Sequence, residues 1–332
     1  MRRVKAIFDS IALLAVIGAV TLMLSGVVGV TYSAFSAESS NPGNQILAAA
    51  DFSAPIVTTA TLGKSTGGAV GAIKPAGTYY AYANLTEGGN PASGVASVTA
   101  NLSAFDTGTA ATTLTSGSYT ANGISYGYRS ALLTVDTPKA NGSYGYAFTT
   151  SDLAANTRTQ SGFSVTIDGT APSASNIQTT NGGAIAGRPE INDTIIYTFS
   201  EAVDPEFILA GWSGATTDVI VRIDNNVASG SNDRLTVYNS ANTALLPFSS
   251  VNLGRNNFVN ASRTYGVTGT KSTMTMSGSQ ITVKLGTQSG AGTTASSAAA
   301  MIWTPAAGPT DLAGNAISLT PLTETGLSDA EF

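Results

Sequence analysis

Phe163-Ser-Val-Thr-Ile-Asp-Gly-Thr-Ala-Pro172 decides the reading of this chain. Phe163, Val165 and Ile167 alternate with Ser164, Thr166 and Asp168. A period of two sends one set of side chains into a core and the other into water, which is the signature of a strand. The alternation ends at Asp168-Gly-Thr-Ala-Pro172, where glycine and proline punctuate the chain directly after the strand. The stretch therefore reads as the close of one β unit and the joint to a second.

Upstream, Ala96, Val98, Ala100 and Leu102 alternate in the same way with Ser97, Thr99, Asn101 and Ser103. Tyr79 to Leu85, Tyr126 to Val135 and Tyr144 to Phe148 supply further strands, separated by clusters rich in Gly, Asn, Pro and Ser. Downstream, Ile195, Tyr197 and Phe199 form one strand face, Val219, Val221 and Ile223 another, and Ile281, Val283 and Leu285 a third. A late strand starts at Met301 to Trp303, and Asp204-Pro-Glu-Phe-Ile-Leu-Ala210 reads as one short helical turn with proline at its start. Short strands at a spacing of roughly 8–12 residues predict sandwiches or barrels. The fold expected is all-β, with two tandem sandwich domains over 52–172 and 173–332. They follow an N-terminal hydrophobic helix (1–36, a signal peptide or membrane anchor) and a flexible linker (37–51). Trp212 and Trp303 are expected in the core.

Composition narrows the function. Charged residues make up 11% of the chain and the net charge is −5. The basic residues are scattered and form no stripe able to displace counterions from phosphate, so nucleic acid is not an expected partner. There is no cysteine and no histidine. That excludes disulfides, thiolate metal sites, Ser-His-Asp and Cys-His catalysis, and every imidazole-ligated metal.

Arg2, Arg3 and Lys5 precede an uncharged run from Ile11 to Val30. A bilayer core takes ~20 apolar residues as a helix, and the basic start would stay cytoplasmic. The expectation is contact with the membrane through residues 11–30, before or without cleavage, and delivery of the rest to the cell surface or the extracellular space. Ser33, Ala34, Phe35, Ser36 and Ala37 form the expected cleavage region. The run from Thr31 to Asn44 resembles precursors of the camelysin and biofilm-fibre type, in which a small residue and Ala-Phe precede a polar Ser/Thr-rich stretch.

Two echoes link the blocks to a family. Asp152-Leu-Ala-Ala-Asn156 matches Asp311-Leu-Ala-Gly-Asn315, each near the end of its block. Asp152, Asn156, Asp311 and Asn315 read as structural turn residues. Tyr197-Thr-Phe-Ser-Glu-Ala-Val-Asp204, followed by the Asp311 turn, resembles the bacterial Ig-like domains of S-layer and other surface proteins. Ala202 stands where that pattern has proline. The interval between the two motifs is long, which implies an insertion between about Asn225 and Thr270. Tyr80-Ala-Tyr-Ala-Asn84, Gly94-Val-Ala-Ser-Val98 and Ser164 to Pro172 resemble Ig-like repeats of actinobacterial secreted proteins. The resemblance implies the immunoglobulin-like sandwich, not an activity.

Residues capable of chemistry are few. Glu201, Asp204 and Glu206 cluster at a strand end, and Asp168 lies at the joint. Carboxylates of this kind suit calcium, a hard cation that takes oxygen ligands. Asp224 and Asp233 flank a loop that resembles a calcium loop but lacks its fifth- and twelfth-position ligands. Calcium candidates are thus Asp168, Glu201, Asp204, Asp224 and Asp233; no catalytic residue and no other cofactor is expected. The leading expectation is a non-enzymatic structural or adhesive protein of the cell surface or envelope, with other surface proteins or envelope glycan as partners. One alternative is a glycan- or ligand-binding module using an exposed Tyr patch around Tyr80 and Tyr82. The remote alternative is a glycoside-active enzyme, which needs two carboxylates ~5–9 Å apart across a cleft.

Overall fold

A computed structural model describes residues 51–332, apart from 90, 226–231, 296, 298 and 326–331. The hydrophobic N-terminal segment, its cleavage region and most of the linker lie outside the described residues. Among the described residues no helix is long and apolar enough to cross a membrane. Among the described residues, the regular structure is strand apart from one 3₁₀ turn at Pro205–Phe207.

The first unit holds nine strands: β1 (Ile56–Lys64), β2 (Ala72–Ile73), β3 (Thr78–Thr86), β4 (Val95–Asn101), β5 (Thr112–Ala121), β6 (Ile124–Ser130), β7 (Leu133–Thr134), β8 (Gly142–Asp152) and β9 (Thr157–Ile167). Their order is β1-β3-β6-β5-β4-β8-β9-β2, with β7 beside β3. β5 turns the corner between the two layers. Leu114 to Ala121 pair with β6, while Thr112 and Thr113 pair with β4. Leu62, Tyr79, Ala81, Val98, Phe148, Val165 and Ile167 fill the space between the layers.

The second unit comprises β10 (Ala174–Thr180), β11 (Thr194–Phe199), β12 (Thr217–Asp224), β13 (Arg234–Asn239), β14 (Ser250–Asn252), β15 (Arg263–Tyr265), β16 (Ser272–Ser277), β17 (Gln280–Lys284), β18 (Ile302–Thr304) and β19 (Leu322–Thr323). They run in the order β10-β11-β17-β16-β12-β13-β14-β18-β19, with β15 beside part of β12. Side-chain bonds from Gln178 to Glu324 and from Thr325 to Asn176 draw β19 back against β10, so the sheet curls almost closed. Trp303 is fully buried, edge-on to Tyr197 at 5.2 Å and Phe199 at 5.0 Å, and its indole N–H donates to the Phe248 carbonyl at 2.5 Å. A ring of this size buried among others, with its one polar atom satisfied, makes the site intolerant of truncation.

The alternation of side chains predicts most inward positions, with one departure. Val98, Ala100 and Leu102 are buried but Ala96 is exposed, because the pairing of β4 with β8 shifts register between Val95 and Ser97. A bulge spends one residue without advancing the ladder, so the inward set changes phase there. The stretch from Asn225 to Thr270, read from sequence as an insertion, holds β13, β14 and β15.

Candidate functional site

Three carboxylates converge in each of two places among the described residues. Asp51, Glu87 and Asp152 form one group and Asp168, Glu201 and Asp311 another; within each, one oxygen per residue lies within 4.8 Å of the others. Each group sits at the entrance of its unit, and the two are built alike.

The first acid of each group opens an Asp-x-Ser/Thr-Ala-Pro run ahead of the first strand. Its Oδ1 accepts the backbone N–H two residues on: Ser53 for Asp51 at 2.9 Å, Thr170 for Asp168 at 2.9 Å. The second acid directly follows β3 or stands two residues beyond β11. The third opens the late turn. Asn156 donates its N–H to Asp152 Oδ1 at 2.8 Å and its amide to Oδ2 at 2.7 Å. Asn315 does the same to Asp311 at 2.8 and 2.7 Å. Each Asn amide also reaches the carbonyl of the first acid, Asp51 at 3.1 Å and Asp168 at 2.9 Å. The turn role read for Asp152, Asn156, Asp311 and Asn315 is thus one part of a larger arrangement. These turns tie the end of each unit to its beginning.

The electrostatics single out the glutamates. Burial raises the Glu87 carboxyl above its usual range, and the charges of Asp51 and Asp152 raise it further. Burial, then Asp168 and Asp311, push Glu201 up to about 7. Asp51 moves the opposite way, held down chiefly by the N–H groups of Ser53 and Ser93. Gly89 has a positive φ and lies against the Asp51 carboxylate, where a Cβ would collide with it.

The second group lies where the two units meet. Its cavity of about 180 Å³ is lined by Ala72 and Thr166 of the first unit and by Asp168, Glu201, Asp311 and Leu312. Beside it, Lys64 of β1 forms a buried ion pair with Asp204 at 3.2 Å, the side chains 3% and 2% exposed. Burial draws the Lys64 pKa down, while Asp204 and Asp311 hold it up. Its three protons are all used, on Asp204, the Ala69 carbonyl and the Leu312 carbonyl. Asp204 also accepts the Ala69 N–H at 2.8 Å and caps the 3₁₀ turn through the Glu206 N–H. A backbone bond from Lys74 to Ala313 at 3.0 Å joins the units again.

The five calcium candidates therefore separate. Asp168 and Glu201 converge with Asp311. Asp204 does not join them, because Lys64 claims it. Asp224 is exposed at the end of β12, in register with Arg234. Asp233 is fully buried and spends Oδ2 on the N–H groups of Phe258 and Val259 at 2.9 and 3.2 Å, a structural cap. Asp51, assigned to the linker from sequence, belongs to the first unit at 5% exposure. The repeat of Asp51-Phe-Ser-Ala-Pro55 in Asp168-Gly-Thr-Ala-Pro172 is the signal that places it.

The other readings find less support in the geometry. Tyr79 is core, its hydroxyl bonded to Asp106 at 2.8 Å. Tyr80 and Tyr82 face the other way. Arg129 lies over the rings of Tyr80 and Tyr119 at 4.3 and 4.4 Å, and Tyr82 packs on Tyr126 at 5.4 Å. These rings are engaged with one another and with Arg129, unlike a bare stacking platform. The larger depression, of about 650 Å³, is lined by Asn, Ser, Ala, Gly, Tyr146 and Phe163 and holds no carboxylate. The cavity at the Asp168, Glu201 and Asp311 group is below the ~300 Å³ typical of small-molecule sites. In comparisons with known proteins, the chain matches no family model and no curated sequence, so the reading of these sites rests on their own geometry.

Proposed function

We propose that this chain is a non-enzymatic structural or adhesive protein of the cell surface, built from two Ig-like sandwiches and exported by its N-terminal segment. The observation that carries the reading is the joint between the units. The buried Lys64–Asp204 pair, the Lys74–Ala313 backbone bond and the Asn315 amide on the Asp168 carbonyl fasten the second unit onto the first. A buried pair bonded on all sides fixes one geometry, and losing either partner leaves an uncompensated charge. A joint of this kind makes two sandwiches act as one rod, which suits a spacer or matrix subunit holding its far end at a set distance from the membrane.

Small-angle scattering of the full chain in detergent tests the rod. A single elongated conformation is expected, with Lys64→Met broadening the distance distribution. A wild-type chain that already samples many inter-unit angles would sink the reading. Intact masses from membrane and culture-medium fractions test export: a released species beginning between Ala34 and Ala37 marks a cleaved precursor, and a full-length species confined to the membrane marks a retained anchor. Chain found only in the cytosol would refute delivery to the surface.

A further inference from the structure

We propose that both carboxylate groups are calcium sites: Asp51, Glu87 and Asp152 at the front of the first sandwich, and Asp168, Glu201 and Asp311 at the joint. The aspartates alone would not carry this, since their bonds to Ser53, Thr170, Asn156 and Asn315 account for them as turn formers. The glutamates are different. Both carboxylate oxygens of Glu87, and Oε1 of Glu201, have less than 1 Å² of exposed area and no well-formed hydrogen bond; the one donor that approaches Glu87 is the Gly94 backbone N–H, and the neighbour of Glu201 is another acid, Asp168. Each residue is half-buried overall, yet its charged end turns inward toward two further acids.

A carboxylate taken out of water with so few donors is destabilised, the more so beside like charges. A turn needs the Asp and the Asn; nothing in it needs the Glu. Lys64 does not supply the missing charge to Glu201, because its three protons are spent elsewhere. A bound cation accounts for all three acids together. Oxygens at ~2.4 Å from one ion lie no more than ~4.8 Å apart, a condition that the oxygens of each cluster meet. The same acids, in the same order and with the same Asn, occur in two units whose surroundings differ. That makes a chance cluster in either one a poor explanation.

Calorimetric titration of EDTA-stripped full chain in mild detergent tests the assignment, with calcium chloride as titrant and magnesium chloride as control. Two calcium ions per chain are expected, with a higher thermal midpoint in millimolar calcium than in EDTA. Glu87→Gln and Glu201→Gln should each leave one ion, with affinity at the altered site at least tenfold weaker. The double variant should leave none. The cation-free midpoints of these variants should match or exceed wild type, since a charge crowded by two other acids has been removed, and this separates lost binding from lost folding. No calcium heat and no midpoint shift in the wild type would overturn the proposal. So would two ions retained by the double variant, or an equal response to magnesium. These outcomes are independent of the rod: scattering reports the angle between units whether or not the sites fill.

Discussion

The front of the first sandwich and the front of the second are the same device in two settings. Both use an Asp-x-Ser/Thr-Ala-Pro entry, a glutamate after the second long strand and an Asp-to-Asn turn. At the first front, the acids meet only their own unit among the described residues, and neither oxygen of Glu87 makes a well-formed hydrogen bond. At the second, Ala72 and Thr166 of the preceding unit close over the acids, and a buried ion pair stands alongside. The comparison teaches that the carboxylates belong to the module, while the lysine lock belongs to the joint. Lys64 and Asp204 lie in different units, so the pair exists only once the two are docked.

The largest break in this symmetry should come from the core. Trp303→Ala is expected to cost ~3–5 kcal/mol, and calorimetry should show that loss in the unfolding of the second unit while the first keeps its midpoint. Equal loss in both transitions would mean that the units fold as one. Next, Lys64→Met should destabilise by ~3–5 kcal/mol by stranding Asp204, with Lys64→Met/Asp204→Leu recovering much of it. Chemical denaturation of the single and double variants reads the difference. Asn156→Ala and Asn315→Ala should each cost ~1–2 kcal/mol by removing the amide that ties the late turn to the entry. A near-equal effect would confirm that the two turns do the same work. The smallest change is expected from Glu87→Gln in EDTA, where the melting midpoint should hold or rise; a clear fall would mean that the charged form is stabilised without a cation.

Much of the fold was legible because buried strands keep period two: Phe163, Val165 and Ile167 read correctly as a strand, as did Ile195, Tyr197 and Phe199. Ala96 was misread because a bulge leaves no mark in a local pattern. The site was only half legible. Asp168 and Glu201 were named, but with Asp204, Asp224 and Asp233, since nearness in sequence says little about which strand ends share an edge. Asp51 and Glu87 went unread because their partner, Asp152, lies far along the chain and is brought back by the β4–β8 pairing. The two Asp-x-Ser/Thr-Ala-Pro runs were the one local clue.

The late turns also bear on how tension travels through the molecule. Asn315 holds the Asp168 carbonyl, and the Ser318 N–H holds the Pro172 carbonyl at 2.8 Å. The connecting segment is therefore stapled at both ends to the final stretch of the second unit before it enters β10. In the first unit, Asn156 on Asp51 and the Thr150 hydroxyl on the Pro55 carbonyl at 2.6 Å repeat the pattern. A pull applied along the chain thus reaches the first and last parts of each sandwich together. The strain divides between them, and β1 or β10 is not peeled away alone.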